Sequence, residues 1–77
     1  MIDSKHFIAI AFEGLGDIYE TIKEIEKAKY HYQKSLEIYK SLNYDYQVYS
    51  DEINKMQGKL DRIKRRPYLI FKAAVKK

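Results

Sequence analysis

Two small residues set among bulky ones limit the folds open to this chain. Gly16 lies within the run Phe12, Leu15, Tyr19 and Ile22, and Ala28 within the run Ile25, Tyr32, Leu36 and Tyr39. Both runs step by three and four, so each lines one face of a helix. Gly16 removes a side chain where a second helix must come close, and Ala28 repeats that device on the next helix. Small residues opposite aromatics let two helices interdigitate at the density of a protein interior. The pattern predicts the core of an antiparallel helical hairpin. A single helix over residues 5–41 in a coiled coil would instead carry the cost of Gly16 without a reason for it.

The first helix is placed at about 5–20, capped by Asp3 or Ser4, with an apolar face through Phe7, Ala11, Leu15 and Ile18 to Ile22. The second is placed at about 24–41 and is expected to close at Ser41-Leu42-Asn43, with Asn43 in the left-handed conformation. A third begins near Asp45 and runs to about 65. Its stripe of Tyr46, Tyr49, Ile53, Met56, Leu60 and Ile63 is the cleanest periodicity in the chain. Gly58 within it costs up to about 1 kcal/mol relative to alanine, which predicts a close neighbour there. Pro67 is expected to stop the third helix. The triplet Arg65-Arg66-Pro67 then divides a helical domain (1–66) from a basic tail (67–77). That tail's Tyr68-Leu69-Ile70-Phe71 is expected to dock on the body or on a partner, with a short fourth helix as one form. The fold class expected is all-α.

At residues 9–42 the chain resembles the tetratricopeptide repeat, a 34-residue helical hairpin whose signature is an aromatic, Leu-Gly, Tyr, Ala, an aromatic and a small residue. Here these are Phe12, Leu15-Gly16, Tyr19, Ala28, Tyr32 and Ser35. The chain departs from the family at Thr21-Ile22-Lys23-Glu24, where the turn lacks a breaker, at Lys40, where a proline is common, and at Ser35, which stands in for alanine and is small enough to change little. The 39–45 connection resembles longer variants of the repeat, and Met56-Gln57-Gly58 only faintly echoes Leu15-Gly16, so the third helix reads as a capping helix. The resemblance implies a protein-interaction module in which the first helix lines a concave groove. The outward positions of that helix are Ile10, Glu13, Asp17, Glu20 and Thr21. Family members that clamp a peptide's terminal carboxylate use Lys, Asn and Arg at such positions. Glu13 and Asp17 point instead to a basic or amphipathic helical partner.

Seventy-seven residues allow one domain, with a core that yields only a few kcal/mol of net stability unless another surface covers it. Stacked repeats normally need about three units, so a lone hairpin is expected to lean on its tail, on a second copy or on further repeats. There is no cysteine, which excludes disulfides and thiolate zinc sites, and no apolar run of spanning length; a cytoplasmic protein is expected.

Charge divides the chain. Residues 1–58 hold seven Lys and Arg against ten Asp and Glu, and residues 59–77 hold eight against one. The basic end suits a helix C-terminus and solubility. It also supplies a rival function, in which Arg62, Lys64, Arg65, Arg66 and Lys72 contact nucleic-acid phosphates while Tyr68 and Phe71 stack on bases. A basic segment on an anionic membrane surface, or docked on an acidic protein, is a third use.

Most of the eight tyrosines are expected to pack between helices with their hydroxyls reaching the surface. His6 and His31 lack a second histidine at metal-binding spacing, and no glycine-rich phosphate loop occurs. Glu13 and Asp17 form a pair common on solvated helix faces. A non-enzymatic role with no cofactor and no metal is expected.

Overall fold

In the computed structural model, which describes residues 4–75 and only the backbone beyond Lys64, the chain forms three helices: α1 (Ser4–Thr21), α2 (Ile25–Tyr46) and α3 (Ser50–Val75). No strand occurs among the described residues. Asp3, one of the two expected caps of α1, lies outside them.

The α1–α2 turn forms without a glycine. Lys23 takes the left-handed conformation at φ 67°. Its amide donates to the Glu20 carbonyl at 3.0 Å, and the Glu24 amide donates to Tyr19 at 2.8 Å. This pair of bonds is the Schellman closure, which satisfies the last carbonyls of α1 and reverses the chain.

The interlock predicted from Gly16 is present. A Cβ at this position would stand 2.5 Å from Cδ1 and Cε1 of Tyr32, so the ring occupies the space a side chain would need. Ala9 and Gly16 on α1 are buried against α2, where Ala28, Tyr32, Ser35, Tyr39 and Leu42 form a buried stripe at steps of four and three. Ser35 does more than fit. Its hydroxyl is fully buried and donates to the Ala9 carbonyl at 2.8 Å, a tie between the two helices that alanine could not make. The pairings Ala9 with Ser35 and Gly16 with Tyr32 run in opposite chain directions, which makes the hairpin antiparallel.

The inward face of α1 differs from the one its large apolar residues suggest. Phe12 and Tyr19 are half-buried, but Leu15 and Ile22 are exposed, as are Phe7, Ala11 and Ile18. The helix is apolar on more than one side, and the side bearing Ala9 and Gly16 turns inward, where Gly16 leaves room for the Tyr32 ring.

Helix α2 runs past Asn43 to Tyr46, so the 39–45 connection is helical. Gln47, at φ 58°, takes the left-handed position expected of Asn43 and donates its amide to the Asn43 carbonyl at 2.8 Å. Asn43 instead accepts at its side-chain oxygen from the Tyr49 amide, also at 2.8 Å, which shapes the turn into α3.

Helix α3 starts at Ser50 rather than near Asp45, and it packs along α2 through buried Met56, Leu60 and Ile63, with Tyr49 and Ile53 beside them. Tyr46, grouped with this stripe in the sequence, ends α2 and is exposed. Gly58 has open space around it and no close neighbour. Pro67 does not end the helix, and no separate fourth helix follows: α3 continues to Val75. Pro67 forfeits one amide donor at a cost of about 3 kcal/mol, but the residues beyond it include the strong helix formers Leu69, Lys72, Ala73 and Ala74.

Candidate functional site

Helix α1 presents two outward faces of opposite character. The first carries Glu13, Asp17 and Glu20 at i, i+4 and i+7, and α3 carries Lys55, Lys59 and Arg62 at the same spacing. α1 and α3 run parallel on one side of α2, and the two triads meet in register. Lys59 Nζ lies 2.9 Å from both Glu13 Oε2 and Asp17 Oδ1, Arg62 Nη2 lies 2.6 Å from Glu20 Oε1, and Lys55 Nζ lies 3.3 Å from Glu13. Tyr32 reaches this seam from below. Its ring is buried under Gly16 while its hydroxyl donates to Asp17 and, at 2.9 Å, to Glu20. Lys59 also sits 5.3 Å over the Tyr32 ring, so aromatic and carboxylates hold one ammonium together.

The protonation states follow from this geometry. Partial burial pushes the Asp17 carboxyl up, but the hydrogen bonds from Tyr32 and Lys59 and the charges of Lys59 and Arg62 outweigh it, so Asp17 sits below the usual carboxylate range. Burial disfavours the Lys59 ammonium, and Asp17 and Glu13 more than reverse this, leaving it raised. The Tyr32 phenol is pushed far up by burial and by its donation to two carboxylates. Tyr39, buried with Glu13, Glu52 and Tyr49 around it, is pushed up to about 12. The Asp17 carboxylate and the Lys59 ammonium thus each hold the other in its charged form.

Of the five groove positions read from the sequence, the structure therefore brings Glu13, Asp17 and Glu20 together against α3. Ile10 and Thr21 flank them on exposed surface, where the Thr21 hydroxyl donates to the Asp17 carbonyl at 2.9 Å. Of the five basic positions, Arg62 is engaged by Glu20. Lys64 is exposed and lines a shallow depression of about 310 Å³ with Gln33, Leu36, Gln57, Leu60 and Asp61. The side chains of Arg65, Arg66 and Lys72 lie outside the described residues, as do those of Tyr68-Leu69-Ile70-Phe71.

The second face is apolar. Ile8, Ala11, Leu15 and Ile18 on the side of α1 turned away from α3, and Ile22 just past its C-terminal end, follow one another at steps of three and four, and all five are exposed. The four large ones leave 41–58% of their surface open, and Phe7 beside them 59%. Ala11, Leu15, Ile18 and Ile22, expected from their spacing on the core face, lie instead on this open one. Small residues lie on both sides, with Ala9 and Gly16 on one and Ala11 and Gly14 on the other, so residue size in α1 alone does not choose between them.

The histidines are packing residues. His6 lies against the Tyr39 and Tyr49 rings at centroid distances of 6.4 and 5.5 Å. His31 sits among Phe12, Tyr19 and Tyr30, and its Nδ1–H donates to the Lys27 carbonyl at 2.7 Å. Among the described residues no group of three or more His, Asp or Glu is placed to hold a metal ion, and no helix is long and apolar enough to cross a membrane. No protein-family model matches the chain, and neither a curated protein nor a solved structure is significantly similar to it.

Proposed function

We propose that this chain is a non-catalytic protein-interaction module, a hairpin of tetratricopeptide type with a third helix packed on it, and that the apolar outer face of α1 is its docking surface. The carrying observation is the exposure of that face. Isolated apolar residues are normal on a surface, but a continuous stripe of this kind on so small a domain marks a place where something binds. The interlock of Gly16, Ala28, Tyr32 and Ser35, at the repeat's own spacing, supports the tetratricopeptide reading.

The acidic groove is the weaker docking surface. A basic peptide there would have to displace Lys59 and Arg62 from carboxylates they already neutralise, whereas a partner on the apolar face displaces only water.

Photo-cross-linking in nuclease-treated cell lysate tests the reading, with the reactive group placed in turn at Ile18 on the stripe and at the exposed Lys40 on α2. A defined protein adduct from Ile18 and none from Lys40 is the expected result. If neither position yields a protein, or if only nucleic acid is held and is lost as salt rises, the adaptor reading is wrong and the basic end is the working surface.

A further inference from the structure

We infer that the partner on this face is a second copy of the same chain, with the two α1 helices packed antiparallel about a two-fold axis at Leu15. This rests on the interaction reading above and names its partner.

The first argument is self-complementarity. The stripe is Ile8, Ala11, Leu15, Ile18 and Ile22, with Leu15 at its centre and seven residues on either side to its ends. Reversing one copy about Leu15 sets Ile8 level with the partner's Ile22. It also brings Ala11 within about one residue's rise of the partner's Ile18, so a small side chain meets a large one along the seam. A parallel pair would set Ala11 against its own copy and leave a gap between two crowded layers.

The second argument is charge. The positions flanking the stripe are Phe7, Phe12, Gly14, Tyr19 and Thr21, none of them ionisable at neutral pH. A charge stands at one edge, where the Lys27 ammonium lies 5.6 Å from the centre of the Tyr19 ring. Two identical chains reversed about Leu15 carry their Lys27 ammoniums toward opposite ends of the seam, and the carboxylates of α1 lie on the opposite side under α3, so no like-charge pair faces across the rim. Gly14 also has open space around it, which lets a neighbouring helix approach that edge of the stripe closely.

The third argument is area. Phe7, Ile8, Leu15, Ile18 and Ile22 expose 41–59% of their surfaces. At roughly 200 Å² each they offer on the order of 500 Å² per copy, or about 1,000 Å² for a pair, where specific interfaces begin. The dimer is therefore weak and reversible, forming as concentration rises rather than being obligate.

Sedimentation equilibrium on the intact chain from about 1 μM to about 1 mM is the direct test. The mass should rise from 9.2 kDa towards twice that value. Leu15→Asp and Ile18→Asp, each checked for unchanged helix content by circular dichroism, should weaken association at least about tenfold, while Tyr44→Ser at a distant exposed site should not change it. Orientation is read by disulfide trapping, which is clean because the chain has no cysteine. Leu15→Cys should cross-link to itself. Ile8→Cys should cross-link to Ile22→Cys in a mixture but not to itself. A mass that stays at the monomer value throughout, association unaffected by both aspartates, or efficient self-linking of Ile8→Cys overturns the proposal. A monomeric chain that still forms a foreign protein adduct at Ile18 in lysate overturns the self-pairing alone and leaves the interaction reading standing.

Discussion

The two outward faces of α1 invert the usual relation between polarity and exposure. Glu13 and Glu20, which belong on the surface by residue type, have side chains only 14% and 12% exposed and are held by Lys59, Arg62 and Tyr32. Ile18 and Ile22, which belong inside, are each 58% exposed. A charged face with complementary charges already bound to it is an internal joint, and an apolar face with nothing on it is an unfinished one.

Helix α1 therefore has a seam against α2, a joint against α3 and an open face, and substitutions should separate the three. The largest effect is expected at the seam. Gly16→Ala puts a methyl group 2.5 Å from the Tyr32 ring, which cannot retreat without giving up its hydrogen bonds to Asp17 and Glu20. A loss of about 3 kcal/mol is expected from urea denaturation at pH 7. A loss below about 0.5 kcal/mol would mean that α1 and α2 pack differently.

The joint comes next. Tyr32→Phe keeps the packing and removes one hydroxyl that serves two carboxylates, for an expected loss of about 1.5 kcal/mol. The joint should also depend on acid. Because the Asp17 carboxyl is held below its ordinary value of 3.8, the folded chain binds fewer protons here than the unfolded chain does. Its contribution is present above that value and is lost as pH falls through the depressed one. The stability gap between the wild type and Asp17→Asn should accordingly be widest above about pH 5 and close on acidification. A gap that widens in acid would contradict the placement of Lys59 and Tyr32 around Asp17.

The open face should matter least to the isolated fold. Ile18→Ser, measured at low micromolar concentration where the chain is monomeric, should change stability by no more than about 0.5 kcal/mol. A larger loss would show that Ile18 is packed, and the contrast between the faces would fail.

Much of the hairpin is legible from residue type and spacing. Ala28, Tyr32 and Tyr39 of the buried stripe of α2 are legible from their spacing, whereas Ile25 and Leu36, read with them, are only partly buried and Leu42 takes a place the spacing did not give it; Gly16 is legible as a point of close approach. Met56, Leu60 and Ile63 likewise stood out on α3. The expectations that failed have local causes. Lys23 and Gln47 adopt left-handed backbone without being glycine or asparagine, because the closing hydrogen bonds to Tyr19, Glu20 and Asn43 outweigh a conformational cost of about 1–2 kcal/mol. Gly58 mimics a packing glycine in sequence but meets nothing. Of the candidate site, the acidic positions were readable, but not the residues that neutralise them. Glu13 and Lys59 are separated by 46 residues, and only their shared i, i+4, i+7 spacing hints that they meet.

Three helices with small residues at their crossings are local information, since periodicity and the absence of a side chain are properties of a short stretch of chain. Which side of α1 faces inward is not local. The open side carries the larger apolar residues, yet the choice falls to the side on which Gly16 admits the Tyr32 ring, Ala9 meets Ser35, and Lys59 and Arg62 can reach the carboxylates. Close packing and charge pairing between segments decide it, and both exist only once α2 and α3 are in place.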